Sequence, residues 1–340
     1  METKGTVAIS IVIPVFNGAP YLEQTIQSLL EQTFTNFEIV CVNDSSTDNS
    51  LDILNRLSKL DSRIKVYTKT NGGTAAKAIN YGLQYSSGDY FMYSSQDDLY
   101  SVNLLEDGYS KAQSLNADAV IPNLIYYYND KDLGQDSVEN TANDIEYSGR
   151  EAFLLSLDWR IHGFVLWSMK TVRKVGFSEF GLNSDEYTTR MLFFHSNKVV
   201  FGNGSFYYRQ NNPNAITKRW NIGLLDYVAT NKRIEKFLIE NHFSNIHILK
   251  IYKAILHDLI RIKMIYDLNK KNLNINDRKI ANNRIKDIFN SERRNFSKLD
   301  KGTLLNSVKF LVQSTNYTTF SIYCRLTQIY NSVINIKNGR

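Results

Sequence analysis

The sequence predicts an α/β fold, a mostly parallel sheet flanked by helices, with an α-helical C-terminal region. Two observations carry this. Short apolar runs alternate with amphipathic segments through the first hundred residues, as parallel strands joined by right-handed helical crossovers would. After Thr217, Gly and Pro nearly vanish and apolar residues recur at spacings of three and four, the helical period.

The elements follow in order. AISIVIPVF (8–16) is a continuous apolar run ending at the turn-forming Asn17-Gly18, which reads as a strand buried on both faces. Residues 20–33 carry Tyr21, Leu22, Ile26, Leu29 and Leu30 at helical spacing, and Pro20 opens them where a missing N–H does no harm. FEIVCVND (37–44) is a second buried strand. The polar residues Ser45, Ser46, Thr47 and Asp48 then suit the N-cap of a helix through Leu51, Leu54 and Leu57. RIKVYT (63–68) is a third strand. A helix over 74–85 follows the Gly72-Gly73 turn, and DYFMYSS (89–95) is a fourth strand. ADAVIPNLIYYY (117–128) is strand-like, 129–149 a polar surface loop, and 150–157 and 168–175 are short helices. KVVFGNGSFYYRQ (198–210) reads as a hairpin turning at Asn203-Gly204. The domain boundary falls near 220, and there is no internal repeat.

Composition sets limits. The chain has 340 residues, 43% hydrophobic and 22% charged, an ordinary globular balance. Its two cysteines, Cys41 and Cys324, suggest no disulfide framework and fit a reducing compartment. No signal peptide and no run of eighteen apolar residues are visible, so the expected location is cytoplasmic, with membrane association at most peripheral. The net charge of +6 hides a gradient. Residues 1–124 hold 8 Lys+Arg and 14 Asp+Glu, residues 125–221 hold 11 of each, and residues 222–340 hold 21 and 9. A basic C-terminal third suits an anionic partner, such as acidic lipid or an acidic chain, or is a solvated surface.

In open α/β sheets ligands sit outside the C-terminal strand ends, and three polar clusters fall there. Gln96-Asp97-Asp98 follows the fourth strand. A hard divalent ion takes one or two carboxylates plus substrate phosphates, though aspartates also cap helices and form turns. Asn43-Asp44-Ser45 follows the second strand, where Asp44 reads as a ligand for a base or ribose or as part of a cap. Phe16-Asn17 ends the first. A fourth element, Asn183-Ser184-Asp185-Glu186-Tyr187-Thr188-Thr189-Arg190, opens a helix with an acidic pair. It reads as a general base with its neighbour, or as an N-cap with a carboxylate near the positive helix end.

These pieces together resemble the family-two glycosyltransferases. The resemblance runs through Ser10 to Asn17, Tyr21-Leu22, Ser28-Leu29, Gln32-Thr33, Glu38-Ile39, Asn43 to Asp48, Asn71-Gly72-Gly73, Asn80-Tyr81-Gly82, Gly88-Asp89-Tyr90 and Asp97-Asp98. It covers about residues 8–215. It implies a GT-A fold, with a nucleotide half at 1–124 and an acceptor half at 125–220; the helical region at 221–340, which the resemblance does not cover, reads as a docking or oligomerisation element. It implies a nucleotide-sugar donor, very often a uridine diphosphate sugar, a divalent cation (Mn²⁺ or Mg²⁺), and transfer of a hexosyl group with inversion to a hydroxyl of a glycan or glycoprotein.

By the same resemblance Pro14, Val15, Phe16, Asn17 and Asp44 hold the nucleoside. Asn71, Lys77, Ser95, Gln96 and Asp97 complete the donor site, and Asp97 binds the metal. Asp185 is the base, with Glu186 beside it. Asp98, His162, Trp167, Tyr208 and Arg209 lie toward the acceptor, His162 and Trp167 being readable also as core residues. The sequence departs from the family pattern at Ser95, where an aspartate is usual, at Asn43, and by one extra residue between Asn71 and Asn80. Ser95 brings no charge, which supports a second reading, a sugar-nucleotide-binding partner of another transferase. A nucleotidyltransferase, which also joins a Rossmann-like half to metal carboxylates, is a third reading, and the acidic element at 183–190 speaks against it. No nucleic-acid partner is expected. The apolar and aromatic face over 300–335 points to a homo-oligomer.

Overall fold

The computed structural model describes residues 7–129, 132–133, 145–213, 220–299 and 316–337. Cα proximity divides the chain into two units, one of Met1–Phe180 and Ser184–Asn212, the other of Gly181–Asn183 and Pro213–Arg340.

The first unit is built on a sheet of nine strands among the described residues. In chain order they are β1 (Ile9–Val15), β2 (Phe37–Asn43), β3 (Ile64–Thr68), β4 (Tyr90–Tyr93), β5 (Leu99–Tyr100), β6 (Ala119–Asn129), β7 (Asp132–Leu133), β8 (Leu166–Ser168) and β9 (Val199–Arg209). The spatial order is β3-β2-β1-β4-β8-β6-β9-β5, with β7 paired to β6. β3, β2, β1 and β4 run parallel. β8 is antiparallel to both β4 and β6, β9 parallel to β6, and β5 antiparallel to β9. The helices are α1 (Ala19–Leu30), α2 (Ser50–Leu60), α3 (Ala75–Leu83), α4 (Leu104–Leu115), α5 (Gly149–Ser156), α6 (Met169–Val175) and α7 (Ser184–His195). This is the GT-A arrangement expected from the sequence.

β1 and β2 are the apolar runs, and they are central because they can be. Ile9, Ile11, Val12, Ile13, Val15, Ile39, Val40 and Val42 are all fully buried, which is what helices on both faces of a parallel sheet require. Burying a side chain of that size is worth about 1.5–3 kcal/mol. Polar residues in this core are paired. Ser10 Oγ donates to Glu38 at 2.6 Å, and Lys65 forms an ion pair with the same carboxylate. Cys41 and Cys324 are buried and unbridged.

Three local expectations are corrected. Of Ser45 to Asp48, only Asp48 caps α2, its carboxylate accepting the N–H of the first helical residue, Ser50, at 3.0 Å. The N-cap position itself is Asn49, with no side-chain bond to the helix, and Ser45 to Asp48 also cross-brace neighbouring loops. Residues 198–210 are one strand, not a hairpin. A two-residue turn of that type needs positive φ at both positions, and neither Asn203 nor Gly204 has it. The register against β6 instead shifts between Ile121 and Asn123, and Asp107 accepts the N–H groups of Asn203 (2.6 Å) and Gly204 (3.2 Å). Finally, α4 and β5 fill a stretch to which the sequence reading assigned no element. α4 buries Leu104, Leu105, Gly108 and Ala112, but its mid-helix Gly108 weakens the helical signal. Most of the loop expected at 129–149 lies outside the described residues.

The second unit is helical: α8 (Asp226–Glu240), α9 (Asn245–Asn269), α10 (Ile275–Phe296) and α11 (Tyr317–Lys337). Ile251, Ile255, Leu259 and Ile262 of α9 are buried, as are Ile285 and Phe289 of α10 and Phe320 of α11. The Phe289 and Phe320 rings stack at 4.7 Å. No helix among the described residues is long and apolar enough to cross a membrane.

Candidate active site

The C-terminal ends of β1, β2, β3 and β4 lie side by side because the strands are parallel and in register. Their loops are tied to one another by side chains rather than by secondary structure. Phe16 follows β1, and Gln96 follows β4. The Gln96 carboxamide clamps the Phe16 backbone from both sides, accepting its N–H at 2.9 Å and donating to its carbonyl at 3.1 Å. Gly18 permits this approach, since a Cβ there would lie 2.6 Å from Gln96 Cδ. Pro14 and Val15 end β1 within the sheet. Asn17 takes a left-handed φ of 53°, and its side-chain oxygen accepts the Thr47 N–H at 2.8 Å. Phe16 itself is 48% exposed. A bare aromatic face at a strand end is a stacking surface for a planar ring.

Asp44, at the end of β2, is nearly buried. Its carboxylate accepts from Lys69 Nζ at 2.8 Å and from the Gly72 N–H at 2.9 Å, while its carbonyl accepts Asn71 Nδ2 at 3.1 Å. Asn71 and Asp44 thus meet as the sequence suggested. Lys69 was missed, although it stands directly after β3, where the strand-end rule would have found it. Lys77 stands on the first turn of α3, its side chain beside Gly72.

Beyond β4 the backbone turns through Ser95, Gln96, Asp97 and Asp98. Ser95 Oγ donates to one Asp97 oxygen, and Asn212 Nδ2 donates to the other at 2.7 Å. Asp98 is fully buried. One of its oxygens accepts the Arg209 N–H at 2.9 Å, and the other has no hydrogen-bond partner among the described residues. Burial, and secondly the charge of Asp97, hold its carboxyl well above the usual range. Arg209, at the end of β9, reaches across this turn. Nε donates to the Asp97 carbonyl at 2.6 Å and Nη2 to Gln24 Oε1 at 2.6 Å, and the guanidinium lies 4.6 Å over the Tyr21 ring. It braces the acidic turn from behind. Tyr208 packs on Phe164, centroids 5.4 Å apart.

Among the described residues no three acidic, His or Cys side chains converge as a metal cage. Of the two adjacent aspartates only Asp97 has solvent exposure. One carboxylate together with substrate phosphate oxygens is a donor set that Mg²⁺ or Mn²⁺ accepts. The residues therefore fit a cation that arrives with a diphosphate, and not one held by the protein alone.

A second cluster sits at the start of α7. Asp185 and Glu186 line a cavity of about 40 Å³ together with Tyr93, Trp159, His162 and Thr189. Asp185 is half-buried, and desolvation, then the Glu186 charge, push its carboxyl up to about 7. Glu186 is instead held by an ion pair to Arg190 one turn on, whose guanidinium also donates to the Glu186 carbonyl at 2.7 Å. Tyr93 ends β4 and lines the same cavity, and burial, then the charge of Asp185, push its hydroxyl well above the usual range. His162 is buried, accepting the Phe164 N–H at Nδ1 (3.2 Å) and bonding the Pro122 carbonyl from Nε2 (2.9 Å). Desolvation drops it to about 4, so it is neutral. Trp167 lies apart from this cavity. It is fully buried in β8 against Phe193, at 4.8 Å, so it acts through packing.

The parallel strand ends thus gather the exposed Phe16 ring, the buried Asp44 and the partly exposed Asp97 on one edge of the sheet, where ligands of open α/β sheets sit. Residues 10–180 match the family described as Glycosyl transferase family 2. The chain belongs to this family. It is 29% identical over 299 residues to glycosyltransferase GlyG of Streptococcus pneumoniae serotype 4, covering 78% of this chain and 98% of that one. It is 29% identical over 226 residues to GlyA of the same organism, covering 62% of this chain and 32% of that larger protein. The crystal structure of S. aureus TarS 1-349 in complex with UDP-GlcNAc superposes with a TM-score of 0.63 at 15% identity, covering 98% of this chain and 92% of that one. That likeness establishes the GT-A fold. The chain is therefore a family 2 glycosyltransferase that uses a nucleotide sugar.

Proposed function

We propose that the chain moves a sugar from a uridine diphosphate sugar to an acceptor hydroxyl by an inverting single displacement. The observation that carries this reading is Asp185: a carboxyl whose surroundings bring it to about 7, on a cavity that also reaches Tyr93 at the end of β4. A base poised near neutrality is what an acceptor hydroxyl requires. TarS, solved with UDP-GlcNAc, supports the uridine diphosphate donor.

In this reading Phe16 stacks on the base, and Asp44 with Asn71 holds the nucleoside. Asp185 takes the acceptor proton as the acceptor oxygen bonds the anomeric carbon. The bond from that carbon to the diphosphate breaks, and the nucleoside diphosphate leaves with the electron pair. A divalent cation at Asp97 would offset charge on the diphosphate. Burial, and then the charge of Glu186, itself paired to Arg190, raise Asp185. Incubation with nucleotide sugars and Mn²⁺ tests the reading. Release of a nucleoside diphosphate supports it. Pyrophosphate release, or donor binding without turnover in the presence of saccharide, peptide and polyol acceptors, contradicts it.

The C-terminal unit we read as a docking or oligomerisation element, with peripheral membrane contact through its basic faces as a further role. Ile322 and Leu326 on α11 are 52% and 61% exposed, which supports a covered face. The rest of the apolar face expected over 300–335 lies largely outside the described residues. Light scattering should give an oligomer for the full chain and a smaller, donor-binding species for a chain ending near Thr217. A monomeric full chain would contradict this.

A further inference from the structure

The exposed indole of Trp159 has no role in the mechanism above. It follows α5, whose C-cap is Leu157. Its φ is 59°, the left-handed region that Gly or Asn usually supplies at a helix end and a bulky residue rarely enters. The turn is closed by backbone bonds, Trp159 N–H to the Ser156 carbonyl at 3.4 Å and Arg160 N–H to the Leu155 carbonyl at 3.2 Å. Leu157 and Ile161 on either side are buried, yet Trp159 is 54% exposed. Two local preferences are broken at one residue, since a bulky side chain takes a strained φ and a large apolar ring faces solvent. Strain of this kind concentrates at ligand sites.

What the ring faces identifies the ligand. Trp159 lines the same cavity as Asp185, Glu186, Thr189 and Tyr93. At about 40 Å³ that cavity admits groups the size of a water or a hydroxyl. We infer that Trp159 is the platform on which a pyranose ring of the acceptor stacks, directing one hydroxyl into the cavity toward Asp185. This rests on the transferase reading of Asp185 and narrows its acceptor to a saccharide. A pyranose has a C–H face for the indole and a hydroxyl edge for the carboxylates. The charges argue against a phosphate-bearing polyol. Asp185 and Glu186 face the cavity with one lining cation, Arg190, already paired to Glu186. The nearby Arg160 is paired to Asp158 at 3.0 Å. A peptide hydroxyl offers the indole no ring.

The test uses the full chain with Trp159→Gly and Trp159→Phe. Methyl hexopyranosides and disaccharides, glycerol phosphate, ribitol phosphate and a Ser/Thr peptide serve as probes. Saccharides should shift the wild-type indole emission, and Trp159→Gly should lose that shift. Its acceptor KM should rise about 10- to 100-fold, as for an aromatic anchor, against the donor KM as internal reference, and Trp159→Phe should recover part of the loss. Because Gly relieves the left-handed backbone, the Gly variant should melt no lower than wild type, so the loss is not one of folding. A wild-type acceptor KM in Trp159→Gly, no emission response to any saccharide, or preference for the polyol phosphates or the peptide would each overturn the assignment. The emission arm needs no donor. If it succeeds while Asp185→Asn keeps full turnover, the mechanism fails and the platform stands.

Discussion

Asp185→Asn should leave donor affinity almost intact and lower turnover by roughly 10²–10⁴, the usual cost of losing a general base. The substitution keeps size and polarity and removes only the site that takes the proton. Glu186→Gln should instead disturb the bond network to Arg190 with a smaller effect on rate. An equal loss in Glu186→Gln with none in Asp185→Asn would move the base by one residue. The pH profile carries the same claim. A base at about 7 must be ionised to act, so kcat/KM should rise with pH through about 7 and then level. In Asp185→Asn that rise should vanish. Stability runs the other way. The folded carboxyl titrates at about 7 against an ordinary 3.8, so the fold favours its protonated form. That contribution is full below about 3.8 and is lost as pH rises through about 7. The thermal midpoint of Asp185→Asn, relative to wild type, should therefore climb from pH 4 to pH 7. A flat difference would show that the carboxyl is not perturbed.

Asp97→Ala should abolish transfer and weaken donor binding only when Mn²⁺ or Mg²⁺ is present. Asp97 is the exposed carboxylate of its pair, and Ser95 supplies no second charge. Cation binding then depends on this side chain and the diphosphate. Calorimetry of the donor with and without the cation measures the difference. Near-normal activity in Asp97→Ala with Mn²⁺ would remove the cation from this position. The fold should survive, because Arg209 holds the turn through the Asp97 carbonyl, not its side chain.

How far the sequence was legible follows from where physics acts locally. β1 and β2 were readable because burial on both faces demands unbroken apolar runs. The clusters at Phe16, Asp44 and Asp97 were readable because parallel strands put their C-terminal ends on one edge. β9 was misread as a hairpin, since Asn203-Gly204 is a local turn signal while the continuous pairing with β6 is a long-range fact. Of Ser45 to Asp48, which looked like caps for the same reason, only Asp48 binds the start of α2, at Ser50, and the other partners are Asn17, Lys69 and Ala19. Trp167 and Trp159 illustrate the limit. Only packing separates a tryptophan inside β8 from one held outward by a left-handed helix end, and no spacing in the sequence encodes it. Lys69 was legible and overlooked.

The most direct test of the mechanism is the anomeric configuration of the product. Proton NMR on a transfer reaction, run with the nucleotide sugar that the protein turns over, reads it from the coupling of the anomeric proton. A single displacement driven by Asp185 predicts a product whose configuration is opposite to that of the donor, with one nucleoside diphosphate released per bond formed. A product that retains the donor's configuration would contradict the account, because Asp185 could then not be acting as the base of a one-step inversion.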